Sequence, residues 1–160
     1  MTKTFSIILV SGLIGFSGFN KELANYEQLT FDYFVSQILG SDFEDITSFK
    51  FKAKTEESFS TLGKYEFCLK PEVKLGSIIR EVTKGLGRNV KEIRYEHIKG
   101  LTILDFKSKA SASSLFIYPS VHVADNYYVF LSFQKMNEQS VKYVFELTPD
   151  GNISRSCRMD

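Results

Sequence analysis

The chain contains no tryptophan, three prolines, two cysteines and two histidines, and its 20 Lys and Arg are almost cancelled by 19 Asp and Glu. Each shortage removes a class of function. Without a basic surplus gathered on one face, phosphate neutralisation cannot supply the affinity that nucleic-acid binding requires, so no nucleic-acid partner is expected. His97 and His122 are the only imidazoles, and no local pair of side chains has a chelating spacing, so neither a metal centre nor any other cofactor is implied. The GxSxG and HExxH strings are absent, which leaves no short hydrolase signature to follow. No internal repeat is visible.

What the sequence does have is one long apolar run, TFSIILVSGLIGFSGF, at residues 4–19. It follows Lys3, carries no charge through Phe16, and passes small residues at Gly15 and Ser17. That is the layout of a secretory signal peptide. A bilayer-spanning helix needs about 20 apolar residues, and Asn20, Lys21 and Glu22 follow too soon. Residues 1–17 are therefore expected to be a leader cut between Ser17 and Gly18, and residues 18–160 a single domain. Such a protein is exported, periplasmic or secreted, and keeps no integral membrane span after signal removal. The competing reading makes TFSIILV a buried strand of a cytoplasmic protein, since periodicity alone cannot assign a short apolar run.

Compartment bears on Cys68 and Cys157. In an oxidising space an even pair invites a disulfide, and closing so long a loop contributes about 4 to 5 kcal/mol in the chain-entropy model. Two buried free thiols are the alternative.

The expected fold class is α+β, an N-terminal helix and a second helix packed on a curved, mainly antiparallel β-sheet that ends in a four-strand meander. The first helix is expected from about residue 21 to residue 39, with Leu23, Phe31, Phe34, Val35 and Ile38 as its apolar stripe, Asn20 as cap and Gly40 as stop. Residues 46–54 alternate, with Phe49, Phe51 and Ala53 on one face and Lys50, Lys52 and Lys54 on the other. The lysines could form an anion-binding stripe, although lysines also discourage edge pairing. Residues 62–70 suggest a second strand that buries Tyr65, Phe67 and Leu69 and leaves Cys68 on the side of Lys64 and Glu66. A second helix is expected to start at Pro71, to bury Leu75, Ile78, Ile79, Val82 and Leu86, and to stop at Gly85.

The loop KGLGRNVK that follows could admit an anion between backbone N–H groups and Lys84, Arg88 and Lys91. Its glycines serve equally as a break between elements, and residues 90–98 read as a short helix capped at Asn89 or as a strand joined to 101–107. The C-terminal third is plainer. LFIYPSVHV, YYVFLSFQK, VKYVFEL and NISRSCRM are strand-like runs separated by turn-prone connections, and Pro119 marks an edge or a bulge.

Phe116, Tyr118, Tyr127, Tyr128 and Phe130 fall on both faces of adjacent meander strands, whereas a single-layer sheet needs apolar residues on one. They form the candidate surface for a protein partner or a small apolar ligand, unless both faces are covered by helices. Gln139 and Val141 have the spacing of the cystatin QxVxG loop, but Tyr143 replaces its glycine and the tryptophan of the second inhibitory loop is missing, so that pattern is not met. The expected function is an exported, non-catalytic binding protein. The alternative is a small exported hydrolase or transferase, which needs two of His97, His122, Asp125, Glu96 and Cys68 within hydrogen-bond reach in a cleft.

Overall fold

Asn25 sets where the first helix begins, because its side chain accepts the Gln28 backbone N–H at 3.1 Å and so satisfies a donor that the first turn cannot pair internally. The structure is a computed structural model that describes residues 24–56, 62–85 and 90–159; the expected leader, Asn20, Leu23, Leu86, Arg88 and Asn89 lie outside them. Helix α1 (Tyr26–Tyr33) runs through a π-helical turn (Phe34–Ile38) into α2 (Leu39–Asp42). The cap is thus Asn25 rather than Asn20, and Gly40 lies inside the last turn. Phe31, Phe34 and Leu39 are buried, as are the polar Glu27 and Thr30.

Among the described residues seven strands follow: β1 (Ser48–Phe51), β2 (Thr102–Asp105), β3 (Ser113–Ile117), β4 (Val121–Val123), β5 (Asn126–Gln134), β6 (Ser140–Leu147) and β7 (Ile153–Met159). They make one open sheet in the order β2-β1-β3-β5-β6-β7, with β4 also paired to β5. β1 is parallel to both β2 and β3, and the other pairs are antiparallel. The expected α+β class and the C-terminal meander are present.

Two extra residues change which face parts of the outer strands address. Ile117 is opposite Leu131 and Val121 is opposite Tyr128, so four steps along one strand match three along its partner. That is a β-bulge at Pro119. A second one lies where Leu147 pairs with Ile153 while Glu146 pairs with Arg155, and the Ser154 hydroxyl donates to the Glu146 carbonyl at 3.1 Å. Because side chains alternate faces, each extra residue reverses which face the rest of the strand addresses. Leu115, Ile117 and Ile153 join the core under α1, while Val121, Cys157 and Met159 join the core on the opposite face.

That opposite face is covered by a 3-10 helix (Leu62–Cys68) and by α3 (Leu75–Gly85). The 3-10 helix corrects the strand expected at 62–70. Its period of three buries Tyr65 and Cys68 together and leaves Phe67 91% exposed, where strand alternation grouped Tyr65 with Phe67. Helix α3 begins four residues later than Pro71, which sits in the preceding turn. Ile78 and Val82 are buried as expected, whereas Ile79 is exposed. Cys68 and Cys157 are disulfide-bonded, with Cα atoms 5.6 Å apart.

Residues 90–98 form neither the helix nor a full strand. Their first part lies alongside residues 53–55, bridged to Lys54 at Glu92, with the Ile93 N–H donating to the Ala53 carbonyl at 2.8 Å, and Ile98 is bridged to Leu101. β1 ends at Phe51, short of the expected 54, and Ala53 adopts a left-handed φ of 57°. Among the described residues, no helix is long and apolar enough to cross a membrane.

Candidate functional site

Gln28 lies one turn into α1 and faces the extended segment at Arg94. Its side-chain oxygen accepts the Arg94 N–H at 2.8 Å, and its side-chain nitrogen donates to the Arg94 carbonyl at 2.7 Å. This two-way exchange is what a paired residue of an antiparallel strand would offer. The amide is held in place by Asp32, whose carboxylate accepts from the same nitrogen at 3.0 Å.

Beyond that pairing a groove of about 500 Å³ opens between the helix and residues 94–98. Phe31, Val35, Tyr95 and Ile98 supply its apolar lining, and Ser36 and Glu96 contribute polar groups. Phe31 stacks on Phe51 with ring centroids 5.0 Å apart, and Tyr95 lies 6.3 Å from Phe31. Tyr95 keeps 40% of its surface exposed. Val35 and Ser36 come from the π-helical turn, a local widening of the helix that often accompanies functional sites. Tyr95, Glu96 and His97 make no backbone hydrogen bond to any described residue. The backbone alternates from Lys91 to Arg94, Lys91 and Ile93 bonding toward Ala53 and Thr55 and Arg94 toward Gln28; the same alternation carried on would turn Glu96 to the side of Arg94.

The aromatic residues singled out from the sequence divide between two cores. Tyr128 and Phe130 are buried on the α3 face, and Tyr118 packs partly buried beside them. Burial raises the Tyr128 phenol above its ordinary value, with the Glu146 and Glu72 charges adding to the effect. Tyr127 lies on the α1 face, stacked on Tyr26 at 3.8 Å. Burial, and then the Tyr127 contact, push the Tyr26 phenol up to about 12. Phe116 is half-buried and meets Phe106 edge to face at 5.6 Å.

Of the anion-loop residues, Lys84 pairs with Glu81 and Lys91 with Glu27, each at 2.8 Å. Glu27 is fully buried, and its other oxygen accepts the Ser120 N–H at 2.7 Å. The bulge at Pro119 thus finds, in a carboxylate of α1, the partner that the strand ladder no longer gives it.

Among the residues considered for catalysis, Cys68 carries no thiol because it is bonded to Cys157. His122 is exposed and stacks on the Tyr127 ring at 4.7 Å. Asp125 sits in the β4–β5 turn, Glu96 lines the groove, and His97 follows it. No hydrogen bond joins any two of His97, His122, Asp125 and Glu96. No group of three or more His, Cys, Asp or Glu among the described residues is arranged to hold a metal ion.

Compared with protein-family models, with curated proteins and with solved structures, the chain matches none.

Proposed function

We propose that the chain is an exported, non-catalytic binding protein that takes an extended segment of a protein partner into the groove between α1 and residues 94–98. The observation that carries this reading is the Gln28 carboxamide, which engages the Arg94 backbone as a neighbouring strand would. It occupies one pairing position and leaves the next, at Glu96, without a partner among the described residues. A peptide entering there would add backbone hydrogen bonds and rest its side chains on Phe31, Val35, Tyr95 and Ile98, the strand-addition mode of peptide recognition. A small apolar ligand held between sheet and α1 draws less support, because Phe34, Phe133, Tyr143 and Phe145 fill that space. Export is supported by the leader-like residues 4–17 and by the disulfide, which suits an oxidising compartment.

A photoreactive phenylalanine analogue at Val35, expressed in the producing cell, tests the reading. The expected result is a discrete protein adduct that is absent when the analogue stands at exposed Lys109 and is lost with Tyr95→Ala. Adducts of equal yield at both positions, or none at Val35, would overturn it. N-terminal sequencing of the same material checks export: a chain that starts at Met1 refutes the leader.

A further inference from the structure

β1 and β2 run parallel and end in register, Phe51 opposite Asp105. Two parallel chains leave a sheet at the same end and then diverge, which is why crevices form beyond the carboxyl ends of parallel strands. Here the crevice is a cavity of about 580 Å³, lined by Lys52, Lys54, Glu56, Asp105, Phe106 and Lys107, with Thr55 at its back.

Its charges are unequally committed. Lys52 is fixed between Glu56, at 2.8 Å, and the Phe106 ring, at 4.9 Å from the centroid. Asp105 accepts the Lys107 backbone N–H at 2.7 Å, which orients the carboxylate and leaves its charge in the crevice, where three lysines stand against two carboxylates. The Lys54 and Lys107 ammonium groups are left with no carboxylate among the described residues. The backbone around Lys54 is held although it is strained. Ala53 sits at φ 57°, an uncommon conformation for a residue with a Cβ, and the bridge between Lys54 and Glu92 fixes the next residue.

We infer that this crevice binds a small phosphate-bearing ligand, with Lys54 and Lys107 neutralising the phosphate and the Phe106 ring bounding the remainder. Two ammonium groups without a planar fork act as point charges, which suit a tetrahedral dianion better than they orient a flat carboxylate. The Phe106 ring beside the lysines gives the remainder of an organic ester a surface that inorganic phosphate would not use, so the inferred ligand is a phosphomonoester rather than the free ion. The site stands apart from the α1 groove and does not depend on it.

Amide-resolved NMR titration of the disulfide-bonded protein at constant ionic strength tests the inference, with glucose 6-phosphate, inorganic phosphate and potassium chloride as probes. Saturable shifts confined to residues 52–56 and 105–107 are expected with glucose 6-phosphate. Inorganic phosphate should bind at least threefold more weakly, and chloride should give no saturation. The double variant Lys54→Gln/Lys107→Gln should weaken the ester at least tenfold, whereas Lys99→Gln should leave it unchanged. Equal affinity for ester and free phosphate would overturn the assignment to an ester. Non-saturating shifts, or an unchanged affinity in the double variant, would overturn the site.

Discussion

The two faces of the sheet are covered by helices of unlike strength. On the α1 face, Phe34 meets Phe43, Phe133 and Tyr143 with ring centroids 5.6 to 6.4 Å apart, and the helix is held by burial of large side chains. On the α3 face the 3-10 helix turns Tyr65 and Cys68 inward, with Tyr65 against Phe130 at 4.9 Å. A short helix of period three cannot present a wide apolar stripe, and its remaining aromatic, Phe67, is spent in solvent. The covalent bond stands on the face where packing is thinner. Its 89-residue separation makes it a strong constraint on the unfolded chain, about 4 to 5 kcal/mol in the chain-entropy model.

The largest expected effect follows from that difference. The double variant Cys68→Ser/Cys157→Ser should lose a few kcal/mol in urea denaturation, up to about 4 to 5. Amide exchange should rise first in residues 65–82, while α1 and the β5–β6 pair remain protected. Uniform loss of protection on both faces would break the comparison, because the bond would then be supporting the whole sheet.

Among the described residues each face also buries one carboxylate, and the pair sharpens the contrast. Glu27 under α1 is fully buried and held by Lys91 and the Ser120 N–H. Glu146 on the α3 face is 3% exposed and held by Lys70 at 2.6 Å and the Asn126 side-chain nitrogen at 2.8 Å, both on the same oxygen. In both pairs the lysine is more than a third exposed and can turn to water, so the cost of breaking the pair depends on which partner is removed. Lys91→Met strands a fully buried charge and should cost about 3 to 5 kcal/mol. Glu27→Gln, which frees the lysine and keeps an acceptor for Ser120, should cost about 1 to 2 kcal/mol. Lys70→Met is expected to cost less than Lys91→Met, since Glu146 lies nearer solvent. Chemical denaturation of the three variants ranks them, and the opposite order would mean that the α1 face tolerates an unpaired charge better than its burial implies.

Much of this was legible in the sequence where one period ran long enough to be read. The meander strands are long apolar runs set off by turn-prone connections and lie close to where they were expected, and Pro119, which cannot donate to a ladder, marks the bulge that divides the first run into β3 and β4. The two-sided aromatic pattern of β5 gave both a ligand surface and a doubly covered sheet as readings, and the helices on both faces account for it. Residues 62–70 misled because alternation and a period of three agree on Tyr65 and part company at Phe67. Nothing local distinguished Gln28, whose role comes from an extended segment 66 residues away. Glu27 stands at the stripe's own spacing, four residues after Leu23 and four before Phe31, so its position pointed inward while its charge hid it from a reading of hydropathy alone. The Lys52 and Lys54 part of the phosphate crevice was visible as a lysine stripe, but Lys107 joins it only through the parallel pairing of β1 with β2.

The smallest effect serves as a control on the comparison, because it lies in the hairpin that serves both faces. Val123 pairs with Asn126, and the two residues between them, Ala124 and Asp125, have φ of 50° and 66°. That is a type I′ turn, whose first central position favours asparagine or glycine over a residue with a plain Cβ. The same hairpin sends His122 and Tyr127 to the α1 face and Val121 and Tyr128 to the α3 face. Ala124→Asn should therefore stabilise the fold by about 0.5 to 1 kcal/mol and slow exchange on the two faces equally. A gain confined to the α3 face would mean that the hairpin belongs energetically to the disulfide-bonded layer, and that the boundary between the two regions runs along β5 rather than through the plane of the sheet.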